Sequence, residues 1–445
     1  MNVRGLLAVL AVLTILVPSA AVDLAGSTPP PPNQVLLDWN AIGVQTMINP
    51  PTTGTPPVPV TLPTFQTEGL IYMTYMQAAV YDAVTAIEGG YQPYKVSLSP
   101  PAGATAQGAT IGAAYEILAT YFPSHKALRL DAARNASIAT LPAGASDPGL
   151  AFGKQVADEL IAIRSTDGRN ASSAWYSFPP AGPGAWSVPT PDNVAARTAT
   201  PQTPWVAHMT PFMLTSASQF RADPPPSVTS PGYAVGLNEV KAYGGRNADT
   251  LRTTAQANVA RFWTANTITQ YNTLLRSLAA GKSIEDTARL LAIGNMVPTD
   301  SAIACFDSKY AYSFWRPIQA IRGADTDGNS ATTGDSNWTP FLAPTPNHPE
   351  YPSAHGCVTG SMANLLADLL GTNRINVAMP GLNPATNAFD PGYTRTFAKV
   401  NDMTRDIADA RVWAGYHYRE SVVQGVNIGR KTEHYAVMHY SLPAG

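Results

Sequence analysis

The amino-acid sequence predicts an all-α protein: a large helical domain built from packed helix bundles, with long Pro-rich loops between them. Three observations lead there. Apolar residues recur at helical spacing in several long segments, clear period-2 strands are scarce, and the 40 prolines and 34 glycines call for long or numerous loops. No internal repeat is present. With 445 residues the chain has ample length for a large buried core.

The N-terminus reads as an address. Arg4 precedes an apolar run from Leu6 to Val17, and Pro18-Ser19-Ala20-Ala21 follows. A basic residue, a short apolar stretch and small residues at 19 and 21 suit a signal peptide cleaved before Val22, and the run is too short to span a bilayer comfortably. Residues 1–21 are therefore expected to be removed, leaving a secreted or periplasmic protein with no membrane segment in its mature form. Their loss removes one basic residue and no acid, so the net charge of -2 becomes -3. Residues 22–64, rich in Pro and Thr, are expected to form an extended N-terminal arm, and 65–445 the helical domain.

Within that domain, Leu70 to Ile87 is apolar almost all round, with Gln77 and Asp82 as the main polar breaks. Such a helix belongs at the domain centre. Further helices are predicted over 105–122 and 149–164. Residues 173–232 read as a long irregular excursion, and helical periodicity returns over 249–281. Ser283-Ile284-Glu285-Asp286 resembles a capping box and starts the next helix. Pro298 is expected to kink or end that helix, with Asp300 capping a new one. Residues 322–350 read as a polar loop, followed by two or three helices.

Composition narrows the function. Lys+Arg total 28 against 30 Asp+Glu, so no basic excess exists to hold nucleic acid. Two cysteines exclude a disulfide-dense scaffold and a Cys₄ zinc site; in an oxidising compartment Cys305 and Cys357 can form one disulfide or stay as two thiols. Asp325-Thr326-Asp327-Gly328-Asn329-Ser330 lacks the glutamate that closes a calcium loop and reads as a turn.

Three segments carry chemistry. In Lys309-Tyr310-Ala311-Tyr312-Ser313-Phe314-Trp315-Arg316-Pro317, seven residues make nearly two helical turns, which places Lys309 and Arg316 on one face before Pro317 ends the helix. In Tyr351-Pro352-Ser353-Ala354-His355-Gly356, Ser353 is a candidate N-cap for a helix whose apolar positions run from Val358 to Leu369. The free N–H groups of its first turn, with His355 among them, make an oxyanion seat. In Arg411-Val412-Trp413-Ala414-Gly415-Tyr416-His417, Arg411 continues the apolar stripe Phe397, Val400, Ile407. Its buried guanidinium needs a partner, which an external anion or a distant carboxylate can supply. Gly415 lets the chain turn and bring His417 back.

Together, Lys-x₆-Arg-Pro, Pro-Ser-x-His and Arg-x₅-His resemble the signature shared by vanadium-dependent haloperoxidases and type 2 phosphatidic-acid and acid phosphatases. The flanks Asp307-Ser308-Lys309-Tyr310, Pro349-Glu350-Tyr351-Pro352 and Ala414-Gly415-Tyr416-His417 are similar to secreted bacterial haloperoxidases. Ala354 stands where Gly is usual, Ala410 replaces a frequent Ser, and Ser421 stands where phosphatases keep an Asp that orients the histidine.

The resemblance implies vanadate as cofactor, with phosphate able to take the same seat. Lys309, Arg316 and Arg411, with Ser353 and the Ala354 N–H, would hold its oxygens. His417 would be the metal ligand, His355 the acid–base, and Lys309 a catalytic cation that polarises bound oxidant. His348 and Phe306 would line a halide pocket. In that family chloroperoxidases tend to carry Phe where His348 stands, and bromoperoxidases His. Hydrogen peroxide, a halide favouring bromide or iodide, and a small organic acceptor are the implied partners; an oligomer is compatible with the sequence. The alternative is a secreted acid phosphatase working through a phosphohistidine at His417, with His355 protonating the leaving group. A non-catalytic binding protein is the third reading, disfavoured because all six motif side chains are present.

Overall fold

Helix α1 (Gln34–Ile48) opens the described part of the chain and buries Leu36, Trp39, Val44 and Met47 in the main core. The computed structural model describes residues 31–48, 65–188, 201–247, 249–440 and 442–444, with the short paired stretches β1 (Thr52–Thr53) and β2 (Val58–Pro59). The predicted signal peptide, residues 1–21, lies outside the described residues. The expected extended arm is corrected over residues 34–48: apolar residues at helical spacing, free of proline, make a helix there despite the Pro-rich flanks.

Next come α2 (Gln66–Glu88), α3 (Ala106–Tyr121), α4 (Asp131–Ile138) and α5 (Pro148–Arg164). Helix α2 is buried almost without interruption from Leu70 to Thr85, as a helix apolar on most faces should be. Asp82, its polar break, accepts the backbone N–H groups of Tyr94, Lys95 and Val96 and so fastens the following loop. After the irregular excursion come α6 (Pro231–Tyr243), α7 (Thr254–Phe262) and α8 (Thr267–Leu278).

Helix α9 (Ile284–Tyr312) begins at Ser283, whose side chain accepts the Asp286 N–H. Of the expected kink or end at Pro298, the end does not occur: the helix runs on through the proline. A proline inside a helix costs about 3 kcal/mol. Here nearly every residue from Thr287 to Tyr310 is buried against neighbouring elements, so tertiary packing outweighs that local cost. Asp300 consequently caps nothing. Its carboxylate accepts the N–H groups of Phe212, Met213 and Leu214 at 2.7, 2.7 and 2.9 Å, tying a loop to α9.

The chain continues through α10 (Pro317–Gly323), α11 (Ala354–Leu370), an antiparallel hairpin of β3 (Val377–Asn383) and β4 (Ala388–Phe397), α12 (Val400–Trp413) and α13 (Arg419–His439). The hairpin was hidden by Pro380-Gly381 and Pro391-Gly392, which punctuate both strands and break the alternation.

Helices α11 and α13 lie in close contact through glycine. A Cβ on Gly425 would meet the Ser353 carbonyl at 2.5 Å, and one on Gly429 the Cys357 carbonyl at 2.3 Å. On the facing side, a Cβ on Gly356 would meet the Val422 carbonyl at 2.7 Å. This backbone-to-backbone approach seats the first turn of α11 against the start of α13.

Candidate active site

Several stretches of chain meet at one place: the start of α2, the end of α9, the start of α10, the 342–353 loop, the first turn of α11, and the end of α12 with the turn that follows it. Helix α9 ends at Tyr312 because Ser313 adopts the left-handed conformation, with φ 44°. Lys309 and Arg316 are therefore not on one helix, as the seven-residue spacing suggested. Arg316 is the N-cap of α10, with Pro317 in the first turn. The left-handed residue re-aims the chain so that both cations still reach the same centre.

Lys309 is fully buried, and its ammonium donates to the carbonyls of Pro349 and Glu350, each at 2.9 Å. Arg316 is equally buried. Its Nε donates to the His348 carbonyl at 3.0 Å, Nη2 to His348 Nδ1 at 3.0 Å, and Nη1 to the Tyr416 carbonyl at 3.1 Å and His417 Nε2 at 3.2 Å. Arg411 sits in the last turn of α12, 2 % exposed, with its guanidinium 4.8 Å from the Tyr416 ring centroid. Its Nε has no hydrogen-bond partner, and neither it nor Lys309 has a carboxylate within ion-pair distance among the described residues. Burial pushes Lys309 down to about 8 and Arg411 down to about 10.

Ser353 is the N-cap of α11 and accepts the Gly356 N–H, as predicted. Ala354, the first helical residue, has negative φ, so the missing glycine costs nothing there. Gly415 has φ 80°, and a Cβ there would meet the Gly244 carbonyl at 2.4 Å; this turn brings His417 back toward Arg411.

His348, Ala354, His355, Arg411 and His417 line one cavity of about 80 Å³, closed on its other side by Phe65, Leu70, Ala302, Pro346 and Val358. Lys309, Arg316 and Ser353 lie beneath this lining, fully buried. His348 faces the cavity, not solvent, and is 4 % exposed. Phe306 packs behind it, ring centroids 5.3 Å apart; the aromatic ring that faces the cavity beside His348 is Phe65, 6.2 Å away. The sequence offered no motif for Phe65.

All three histidines are held well below their usual range, first by desolvation and then by the surrounding cations. They are neutral at neutral pH. His355 Nε2 is buried without a partner. His417 gives Nδ1 to Glu350 Oε1 at 2.7 Å, so the Nε2 lone pair faces Arg316 and the cavity. Glu350 is fully buried and also accepts the Tyr418 N–H at 3.2 Å; desolvation raises it to about 7 against the pull of Arg316 and Lys309. In the sequence Glu350 stands out only as part of a flank. Its signal was present: a carboxylate three residues before Ser353 in a segment otherwise committed to the site.

Cys305 and Cys357 are both fully buried free thiols, and Cys305 Sγ donates to the Pro352 carbonyl at 3.6 Å.

Buried cations short of carboxylate partners, an orphan guanidinium nitrogen and a neutral imidazole around one cavity fit a tetrahedral oxyanion such as vanadate. The family described as the VCPO second helical-bundle domain matches residues 289–443. A curated relative, vanadium chloroperoxidase of Curvularia inaequalis, is 24 % identical over 346 residues, covering 60 % of this chain and 56 % of that protein; the match thus spans little more than half of the relative's length. A solved bacterial vanadium-dependent iodoperoxidase superposes with a TM-score of 0.75 at 20 % identity, covering 94 % of this chain and 99 % of that one. A holo-type bacterial vanadium-dependent chloroperoxidase gives 0.66 at 16 %, covering 83 % and 90 %.

Proposed function

We propose, from the premise that residues 289–443 match the VCPO second helical-bundle family and that most of the chain shares the fold of bacterial vanadium haloperoxidases, that this protein is a vanadate-dependent haloperoxidase. The observation that carries the reading is Arg411: a buried guanidinium with an orphan Nε, opening on the cavity that His417 also lines. The reaction is oxidation of bromide or iodide by hydrogen peroxide to hypohalous acid, which then halogenates a small organic acceptor. Export, from the N-terminal address, is part of the same proposal.

Vanadate, when bound, supplies a Lewis acid that activates peroxide without haem or flavin. The chain does the rest. Lys309, Arg316 and Arg411 offset the negative charge, with the Ser353 hydroxyl and the Ala354 N–H as further donors. His417 offers a neutral Nε2, the form a metal requires. His355 takes and returns a proton at Nε2, beside the incoming oxidant. Phe65, Leu70 and Val358 keep that volume dry.

Acid phosphatase chemistry is the second reading, and Glu350 favours it. The Asp missing at 421 is replaced in function by a carboxylate from another segment, so the orientation a nucleophilic histidine needs is present. A paired assay decides between them: halide oxidation after orthovanadate reconstitution, and phosphate release from a generic monoester by the apoprotein. Halide oxidation that depends on vanadate supports the proposal; monoester turnover without it would replace the proposal with the second reading.

A further inference from the structure

The structure assigns Glu350 as the positioning residue that fixes His417 in a single tautomer and ring plane, with Nε2 presented to the oxyanion. Two contacts on opposite edges of the imidazole carry this. Glu350 Oε1 lies 2.7 Å from Nδ1, and the Arg316 guanidinium, which can only donate, lies 3.2 Å from Nε2. The proton therefore sits on Nδ1 and the lone pair on Nε2. Glu350 is itself held: its N–H donates to the Phe314 carbonyl at 2.9 Å, and the same Oε1 accepts the Tyr418 N–H at 3.2 Å. Because Tyr418 adjoins His417, one carboxylate oxygen grips both the ring and the backbone that bears it.

The carboxylate comes from a distant segment of the chain. The position four residues after His417 is Ser421, which has no acceptor of carboxylate strength, and the Ser421 hydroxyl lies beside Glu350. The orienting group instead comes from 67 residues upstream, on the loop that also holds Lys309. Partners of this kind that hold a metal-binding imidazole typically contribute 10–100-fold in metal affinity or activity.

This inference rests on the proposed oxyanion chemistry for its consequence but not for its geometry, so its test begins without vanadate. Nitrogen-15 NMR of the free protein should report His417 protonated on Nδ1. Glu350→Gln, whose amide oxygen can still accept that proton, should keep the tautomer and bind vanadate within about fivefold of the parent. Glu350→Ala should lose the single tautomer and weaken vanadate binding about 10–100-fold. Lys309 is held by the backbone carbonyl of residue 350, which neither variant removes. A His417 carrying its proton on Nε2, or a Glu350→Ala protein with unchanged tautomer and unchanged vanadate affinity, overturns the assignment. An intact tautomer pattern in a protein that oxidises no halide would instead overturn the haloperoxidase reading alone.

Discussion

Arg316 Nη1 stands 3.2 Å from His417 Nε2, so a guanidinium faces the lone pair that the proposed metal would use. On the proposed reading this contact is exchanged when vanadate binds. A crystal structure of the vanadate-loaded protein is expected to show Nη1 turned to an anion oxygen and Nε2 facing vanadium. His417→Ala should abolish vanadate-dependent turnover while leaving anion binding by the cations measurable; full turnover in that variant would remove His417 as ligand.

His355 lines the cavity and has no hydrogen-bond partner at Nε2, so its loss should not disturb the packing beneath. His355→Ala is expected to lower kcat about 10²–10⁴-fold with vanadate affinity nearly unchanged. Calorimetry for affinity and a bromination assay for turnover separate the two quantities.

Lys309 gives the site a pH dependence with a definite sign. Burial, reinforced by Arg316, lowers it to about 8. Below that value the ammonium is charged and contributes to anion binding; above it the charge is lost. Sulfate affinity, for an anion whose own charge is constant over this range, should fall as pH rises past 8, by at most about tenfold per pH unit for one linked proton. Lys309→Arg should flatten that profile, since guanidinium stays protonated.

His348 borders the cavity between Phe65 and Phe306, with Nδ1 engaged by Arg316. Its Nε2 edge is left to interact with groups in the cavity. Bromide and iodide are expected to have higher kcat/KM than chloride, and His348→Phe is expected to shift the balance toward chloride by drying the pocket. Equal chloride and bromide activity that ignores this substitution would exclude His348 from halide selection.

The glycine contact of α11 with α13 predicts a stability effect that spreads to the site. Gly429→Ala forces a Cβ against the Cys357 carbonyl, and the neighbour is backbone, which cannot rotate away. Overpacking of this kind costs about 1–3 kcal/mol. A lowered melting temperature, with turnover reduced through displacement of His355, is the expected result.

Much of this architecture was legible because the sequence carries local signals for it. Ser353 reads as a cap, Gly415 as a turn, and 70–87 as a central helix, since each depends on neighbours a few residues away. What escaped was set by distant contacts. The continuity of α9 through Pro298 comes from the helices around it, and Arg316 reaches the centre through a left-handed Ser313 that no residue preference announces. Phe65 and Glu350 belong to the site only because the fold folds other segments onto them.

The loop from His348 to Ser353 is expected to tolerate changes in length poorly. Loops ordinarily accept insertions and deletions more readily than the elements they join. Here consecutive residues address different targets: the His348 carbonyl meets Arg316, the Pro349 and Glu350 carbonyls meet Lys309, the Glu350 carboxylate meets His417, and Ser353 caps α11. Adding or removing one residue would misalign two cations and a histidine together, so the spacing of this segment is as much part of the proposed site as the side chains it carries.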